Sequence, residues 1–243
     1  MDGSVPLVAE LTRDELRALG PECVVVIPLG ATEQHGPHLP LGTDTLHVEH
    51  VARAAVARVD GQAPVALAPA LAYGCSPHHV PLGPTLSLSS ATLRSVLVDL
   101  GGSLAGAGVR RLFFVNGHGG NVELVQVAAR DIMLAHDVLV GACTWWTLVD
   151  DASMRVPGHA GAFETAVVRA LRPDLIQTAV VPRRAGSAGQ APDARIRIER
   201  PGALRALDGY TDDPASGLTV DATAHLDAAV AALAAALIAF ATT

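Results

Sequence analysis

The chain has 243 residues, of which half are apolar and 17% are charged, and its formal net charge is −7. This composition excludes an intrinsically disordered protein, because the apolar fraction is sufficient for a core. The negative charge argues against nucleic acid as a partner. The length suits one domain spanning residues 1–243, and the scarcity of charge predicts that subunits associate and cover part of each other's surface.

Neither end of the sequence predicts a targeting or membrane segment. Residues 1–20 lack a basic region followed by an apolar stretch, and the alanine-rich run at 228–240 is too short to span a bilayer. We therefore expect a cytoplasmic protein without a membrane partner. Cys23, Cys75 and Cys143 are odd in number and widely spaced, which predicts free core thiols in a reducing compartment.

The first predicted element is a short helix over Thr12–Leu19, because Thr12 and Glu15 have the spacing of a capping box. A continuous apolar run from Cys23 to Leu29 follows it. Apolar runs without alternation are typical of parallel strands that are covered on both faces. The run is therefore predicted to be a buried strand, and the residues after it should lie at the edge of the sheet where ligands bind.

The stretch Gly30–His47 reads GATEQHGPHLPLGTDTLH and is rich in carboxylates and imidazoles. Glu33 and His35 are two residues apart, so both side chains project from the same face of an extended backbone. A proline-punctuated loop can return Asp44 to the same place. Carboxylate and imidazole ligands suit a divalent ion such as zinc, manganese or iron, so these three residues are candidate metal ligands.

Asp44 has a second interpretation, because it immediately precedes a predicted helix over Thr45–Arg58. An aspartate in that position is a common N-cap, and the residues alone leave the cap and the ligand interpretations equally open. His38 and His47 are interpreted as a loop and a helix-surface residue rather than as ligands.

The next predicted elements are a second strand over Pro64–Leu71 and a long helix that Ser89 or Ser90 can cap. The loop between them carries His78 and His79. Adjacent loop histidines are usually solvated, and the sequence leaves open whether one of the two lines a pocket.

A third strand over Val109–Val115 leads through NGHGGN, residues 116–121, into a helix over Val122–His136. A glycine-rich turn before a helix can direct backbone N–H groups at an anion or a developing oxyanion. The turn lacks the Gly-Lys-Ser/Thr of a nucleotide-binding loop. Glycines on both sides of His118 predict that the turn presents this imidazole; the alternative is a glycine turn with an incidental histidine.

The fourth strand is predicted over Asp137–Trp145, and a helix that reaches Leu171 follows a loop containing His159. Glu164 lies near the first turn of that helix, where it could simply complement the helix dipole. His159 could likewise be only a capping-loop residue. However, these two residues form a third titratable cluster after a strand, and the convergence of three such clusters favours a pocket.

Residues Arg183–Gly217 lack periodicity and are predicted to form an extended loop or an edge element over the surface, and a closing helix is predicted over Asp221–Phe240. The alternation of strands and helices predicts right-handed βαβ crossovers and one parallel sheet with helices on both faces.

Three motifs, GATEQHGPHLPLGTD, VNGHGGN and HAGAFETA, occur in this order. Together they resemble those of the creatininase (creatinine amidohydrolase) family, which includes a formamidopyrimidine deformylase and the peptidase that trims the mycofactocin precursor. The resemblance implies a three-layer α/β/α sandwich around a mainly parallel sheet, a homohexamer, and one or two divalent metals per chain. Matched residue by residue, the implied ligands are Glu33, His35, Asp44 and His118, with Asp44 bridging two ions.

The resemblance also implies the residues around the metal. Creatininase carries a glutamate two residues after the histidine that corresponds to His118, whereas this chain has Gly120, as the deformylase and peptidase branches do. A second ion therefore either binds more weakly or takes Glu164 as a replacement ligand. The remaining pocket residues are expected to be Trp146, His79, Gly119 and Asn121.

The implied reaction is metal-assisted hydrolysis of a C–N amide bond in a lactam, a formamide or a short peptide, because a divalent ion lowers the pKa of its bound water to roughly 7. His159 is expected to protonate the leaving nitrogen, and Glu164 to orient His159, act as a base or hold a second ion. Three alternatives remain open: a mycofactocin precursor peptidase, a metal-dependent C–C hydrolase of a cyclic ketone, and a non-catalytic metal- or partner-binding scaffold.

Overall fold

The computed structural model describes residues 5–59, 61–149, 158–182 and 209–243. Across these ranges the chain forms helices and parallel strands that alternate as predicted. In chain order they are α1 (Arg13–Ala18), β1 (Val24–Leu29), α2 (Thr43–Val59), β2 (Val65–Leu67), α3 (Ser90–Gly106), β3 (Arg111–Asn116), α4 (Val122–Ala135), β4 (Leu139–Thr144), α5 (Ala162–Leu171) and α6 (Thr223–Ala241).

The four strands form one parallel sheet in the order β2-β1-β3-β4. Strand β1 pairs with β3 over its whole length, from Val24 opposite Arg111 to Leu29 opposite Asn116. The strand order reverses at β1, because β2 lies on one side of it and β3 on the other. In open α/β sheets, ligands bind at such a switch point, beyond the carboxyl ends of the strands. The loops after β1 and β3 therefore define the expected site.

Helices cover both faces of the sheet. Val24 and Val26 of β1 belong to a core with buried residues of α2, α5 and α6, whereas Val25 and Ile27 belong to a second core with residues of α3 and α4. Successive side chains of a strand point to opposite faces, so these two cores lie on opposite sides of the sheet. The predicted three-layer α/β/α arrangement is confirmed.

Most predicted boundaries are within two residues of those observed, but the second strand is much shorter than predicted. It covers Val65–Leu67 rather than Pro64–Leu71, and Leu71 pairs with Leu29 only as an isolated bridge. Pro69 lacks an N–H for the ladder, which explains the interruption. The predicted capping box of α1 is present, with Thr12 accepting from the N–H of Glu15 and the Glu15 carboxylate accepting from the N–H of Thr12.

Helix α6 is longer than the apolar run at 228–240 that was predicted to be too short for a bilayer. The whole helix has 19 residues, and by length and composition alone it could cross a bilayer. Its buried residues Leu226, Leu233 and Leu237 pack in the core that also contains α2, and 44% of its most apolar window is buried. A core helix of this composition passes the same length test.

The predicted surface loop at 183–217 is described only from Gly209 onwards. There it is not wholly extended or on the surface, because Pro214–Leu218 form a short 3-10 helix in which Pro214 and Gly217 are buried. A Cβ on Gly217 would collide with the carbonyl oxygen of Ala162 at the start of α5. The segment therefore packs closely on that helix.

Candidate metal centre

Six titratable side chains of the three motifs meet beyond the carboxyl ends of β1 and β3. They come from the loop after β1, the first turn of α2, the turn after β3, and the start of α5 with the loop before it. All six are at most 8% exposed: Glu33, His35, Asp44, His118, His159 and Glu164. The three motifs therefore converge, as predicted.

Asp44 lies between two imidazoles. Its Oδ1 is 3.4 Å from His35 Nε2, and its Oδ2 is 3.0 Å from His118 Nδ1. Helix α2 begins at Thr43, so Asp44 is the second residue of the helix rather than the residue that precedes it. The geometry favours the ligand interpretation of Asp44 over the cap.

Glu33 is fully buried and faces three imidazoles. Its Oε1 is 3.3 Å from His79 Nε2 and 3.4 Å from His159 Nδ1, and its Oε2 is 3.4 Å from His118 Nε2. Within the described residues, neither oxygen has a hydrogen-bond partner, and the same holds for His35 Nε2 and Asp44 Oδ2. Buried polar atoms without partners are costly. A divalent cation among these four atoms would satisfy them, so the donor set fits a metal.

Backbone groups orient the two predicted imidazole ligands. His35 Nδ1 is 3.1 Å from the carbonyl oxygen of Glu33, to which it donates, so His35 Nε2 is left for an ion. His118 Nε2 is 3.2 Å from the carbonyl oxygen of Cys75 and 3.1 Å from the hydroxyl of Ser76. A proton on that nitrogen leaves His118 Nδ1, beside Asp44, for an ion. Hydrogen bonds of this kind fix the tautomer and ring orientation of histidine ligands.

Burial and neighbouring charges shift the pKa values of these groups. Burial and then the charge of Asp44 raise the pKa of Glu33 to about 7. Burial lowers the pKa of His118, but the charges of Glu33 and Asp44 outweigh burial and raise this pKa to about 9. Against burial, Glu164 and Asp44 raise the pKa of His35 well above its ordinary value. Without metal, protonated imidazoles thus balance the carboxylates, and a bound cation would displace these protons.

The two ring nitrogens of His159 have different neighbours. Its Nε2 lies 2.7 Å from the carbonyl oxygen of Gln34, to which it donates, while its Nδ1 faces Glu33. The ring also packs against His35 and His79, at centroid distances of 4.4 and 3.9 Å. Burial, followed by the charges of those two imidazoles, lowers the pKa of His159 well below its ordinary value. His159 is therefore neutral, with an unprotonated Nδ1 directed at the centre.

Gln34 connects the site loops, a role that the sequence analysis missed. The N–H of Gly36 donates to Gln34 Oε1, which turns the amide nitrogen towards His79 Nδ1 at 3.0 Å, His159 Nε2 at 3.0 Å and the carbonyl oxygen of Gly209 at 3.1 Å. Because His159 Nε2 donates to the Gln34 carbonyl oxygen, the two amide protons are assigned to His79 and Gly209. His79 Nδ1 accepts from the amide, so its proton lies on Nε2, towards Glu33. The position of Gln34 between two predicted ligands was the available signal. His79 is buried beside the centre, as predicted for a pocket residue, whereas its neighbour His78 is exposed.

His38 lies in the loop after β1, as predicted, whereas the prediction that His47 lies on a helix surface was wrong. His38 and His47 are buried; His38 Nε2 is 3.0 Å from Thr165 Oγ1, and the His47 ring meets Trp145 edge-on. Burial lowers their pKa values to about 4 and about 3. Both are neutral and buried: the loop after β1 packs His38 against Thr165 of α5, and α2 packs His47 against Trp145.

The other predicted pocket residues have different environments. A Cβ on Gly119 would meet open space, whereas Asn121 is fully buried and its amide binds Gly30 O and Cys75 N. Asn121 therefore joins two site loops and is not free to contact a substrate. Trp146 packs edge-on against Trp145, at a centroid distance of 5.9 Å.

Glu164 lies beside a second group of donor atoms. Its Oε2 accepts from the N–H of Ala160 and is 3.6 Å from His35 Nε2. Donor atoms within 4.8 Å of one another form three groups: Glu33, His35 and Asp44; His35, His159 and Glu164; and Glu33, His79 and His159. These groups share members, so the geometry allows either one ion or two.

Comparison with known proteins identifies the family. A family model described as creatinine amidohydrolase matches residues 9–237. A mycofactocin precursor peptide peptidase from Mycobacterium ulcerans is 36% identical over 228 residues, which is 89% of this chain and 86% of the relative.

Solved structures give the same result for the fold. A mutant creatininase complexed with creatine superposes with a TM-score of 0.77 at 28% identity, covering 96% of this chain and 97% of the other. A mutant creatininase of the Zn-Zn type gives a TM-score of 0.76 at 27% identity and the same coverage. The family model spans nearly all of this sequence, and the chain therefore belongs to the creatininase family.

Proposed function

We propose that this chain is a metal-dependent hydrolase that cleaves C–N amide bonds. The observation that carries the proposal is the set of buried, unpartnered donor atoms on Glu33, His35 and Asp44, with His159 Nδ1 3.4 Å from Glu33 Oε1. The first three residues suit a cation, and the fourth suits proton transfer. A scaffold that only stored an ion would not need the fourth.

Glu33, His35, Asp44 and His118 are the proposed ligands. Two carboxylates with two imidazoles suit zinc, manganese or iron, with one or two ions per chain. When bound, such an ion activates water and polarises a carbonyl oxygen. The neighbouring protein groups supply orientation: Glu33 O and Cys75 O fix the tautomers of His35 and His118.

His159 is the proposed proton-transfer residue. Its Nε2 proton is committed to the carbonyl oxygen of Gln34, so the proton that moves must be carried on Nδ1. Because this nitrogen is unprotonated in the free protein, His159 first accepts a proton there from the attacking water. It then delivers that proton to the leaving nitrogen of the amide.

Glu164 has two candidate roles, and contacts support each. Its carboxylate accepts from the N–H of Ala160, next to His159, and so holds the loop. Glu164 Oε2 is also 3.6 Å from His35 Nε2, a distance that suits a ligand of a second ion. In that role Glu164 would replace the carboxylate that is absent at Gly120. Trp146, His79 and Gly119 are proposed to line the substrate pocket.

A peptide is the first substrate class to test. The mycofactocin precursor peptide peptidase is similar over 86% of its length, and Gly120 leaves out the glutamate of creatininase. Small lactams and formamides are the second class, supported by the structural likeness to the creatininase complexed with creatine.

We also propose one domain per subunit and a cytoplasmic homo-oligomer, hexameric by family resemblance. Light scattering should give several times the mass of one chain, and a monomer at micromolar concentration contradicts the association.

The test is turnover by metal-reconstituted protein of the mycofactocin precursor peptide, creatinine and a set of formamides, followed by mass spectrometry. We expect a mass gain of one water and two products for the peptide, and no product with Asp44→Ala. The proposal fails if no probe is cleaved with zinc, manganese or iron, or if Asp44→Ala cleaves at the parent rate.

A further inference from the structure

The segment Gly209–Asp213 is hydrogen-bonded to the loop that carries His159. The N–H of His159 donates to Thr211 Oγ1 at 2.7 Å, and the N–H of Thr211 donates to the carbonyl oxygen of His159 at 2.9 Å. Asp212 Oδ1 accepts from the N–H of Ala162 at 2.7 Å, at the start of α5. Both backbone groups of His159 are thus bonded to one residue that lies 52 positions later in the chain.

Two glycines allow this segment to approach the His159 loop closely enough for these hydrogen bonds. A Cβ on Gly158 would collide with the hydroxyl of Thr211, and a Cβ on Gly161 would collide with the carboxylate of Asp212. The glycines on either side of His159 and Ala160 therefore leave the space that the two side chains occupy. Close approach of another chain segment is a common reason for glycine at a position.

The loop between those glycines has an unusual backbone. Ala160 has a φ of +48°, the only positive value among the described non-glycine residues. Such conformations persist where surrounding contacts impose them. Here the contacts are Glu164, which accepts from the N–H of Ala160, and the hydrogen bonds of Thr211 and Asp212 on either side.

The same segment reaches the loop after β1. The carbonyl oxygen of Gly209 accepts from the amide nitrogen of Gln34, and the backbone oxygen of Gln34 accepts from His159 Nε2. Residues 209–212 therefore restrain the backbone of His159 directly and its ring through Gln34. Together these bonds fix the direction of His159 Nδ1.

We propose that Thr211 and Asp212 are positioning residues, which hold His159 so that its Nδ1 stays beside Glu33. This inference rests on the proposed function of His159 in proton transfer. It adds a requirement on a segment outside the three sequence motifs. Displacing a catalytic group by about 1 Å can lower the reaction rate roughly 100-fold. Loss of the hydrogen bonds to the His159 loop should therefore lower kcat while the metal ligands stay in place.

The test compares Thr211→Val, which keeps the shape and removes the hydroxyl, with Thr211→Ser, which restores it. Thr219→Val is the matched control, since Thr219 is exposed and bonds only Ser216 among the described contacts. With the precursor peptide or creatinine as probe, Thr211→Val should keep its metal and its KM and lose roughly 10- to 100-fold in kcat. Thr211→Ser and Thr219→Val should stay within about threefold of the parent.

A second readout needs no substrate. In NMR spectra of zinc-loaded protein with ¹⁵N-labelled histidine, the hydrogen-bonded Nε2–H signal of His159, identified by its loss in His159→Ala, should disappear or shift in Thr211→Val. It should persist in Thr211→Ser and Thr219→Val. If Thr211→Val fails to fold, Asp212→Ala against Asp212→Asn asks the same question, because asparagine keeps an acceptor oxygen for Ala162.

The outcomes separate this inference from the proposed function. An unchanged His159 signal in Thr211→Val, or equal losses in the valine and serine variants, overturns the positioning role. If His159→Ala is slow while Thr211→Val turns over at the parent rate, only the positioning role is lost. If His159→Ala itself turns over at the parent rate, the proposed function of His159 is wrong.

Discussion

The carbonyl oxygen of Cys75 occupies the space where a Cβ on residue 120 would lie, which is why that position is Gly120. His118 Nε2 is the next nearest atom, at 2.6 Å from the hypothetical Cβ. The same carbonyl oxygen accepts the hydrogen bond of His118 Nε2. The absence of a side chain at 120 and the orientation of His118 therefore have one structural cause.

Gly120→Ala should consequently disturb the metal centre. The new methyl group meets a backbone atom that cannot rotate away, so His118 or the Cys75 loop must move. We expect loss of at least half of the bound metal in elemental analysis, together with a lower melting temperature. Gly119→Ala is the matched control, because a Cβ there meets nothing within 4 Å and its backbone is not in the left-handed region. Equal metal content in the two variants would contradict this explanation.

Asp44→Asn should separate the ligand from the fold. The amide keeps the size of the carboxylate but removes the charge between His35 and His118, so most of the metal should be lost while the circular dichroism spectrum stays unchanged. Asp174→Asn is the control, since Asp174 is an exposed partner of Arg172. A cap lost in an ordinary helix costs only about 1 kcal/mol. A full metal load in Asp44→Asn would show that Asp44 is not a ligand.

The sequence predicts much of the sheet and the first ligands because these follow from local patterns. The unbroken apolar run before Glu33 identifies a covered parallel strand, and the strand end places Glu33 and His35. The burial of His38 and His47 was not predictable in this way, because it depends on how the loop after β1 packs beneath α5 and how α2 packs beside Trp145.

Contacts between distant segments account for what the sequence could not predict. Residues 209–212 lie in a stretch without periodicity, yet Thr211 and Asp212 bind the His159 loop. Hydrogen bonds to backbone atoms leave no residue pattern, so only the fold reveals the partner. The glycines at 158 and 161 were a signal that something approaches the loop closely, but not of what approaches it.

Metal affinity should rise with pH. The pKa values of Glu33 and His118, about 7 and about 9, are both above their ordinary values, so at neutral pH the metal-free centre carries protons that an ion must displace. Affinity should increase roughly tenfold per pH unit for each displaced proton between pH 6.5 and 8.5. Competition with a chromophoric chelator measures it, and an affinity independent of pH in that range contradicts the assignment.

His159→Ala should separate proton transfer from metal binding. Four other residues supply ligands, so the metal content should stay near that of the parent, whereas kcat should fall roughly 100- to 10,000-fold, the usual range for a positioned acid or base. His136→Asn, at the far end of α4, is the control for a generic histidine substitution. Loss of metal in His159→Ala would instead make His159 a ligand, as its distance to Glu164 and His35 permits.

Glu164→Gln distinguishes the two roles proposed for Glu164. The glutamine oxygen can still accept from the N–H of Ala160, so the loop should keep its conformation, but the negative charge beside His35 is lost. If Glu164 holds a second ion, the protein should bind one ion fewer per chain and kcat should fall. If Glu164 only holds the His159 loop, both the ion count and kcat should stay near the parent values, and Glu164→Ala should then lower kcat alone. Elemental analysis with steady-state kinetics separates these cases. Parent-like metal content and rates in both variants would exclude both roles.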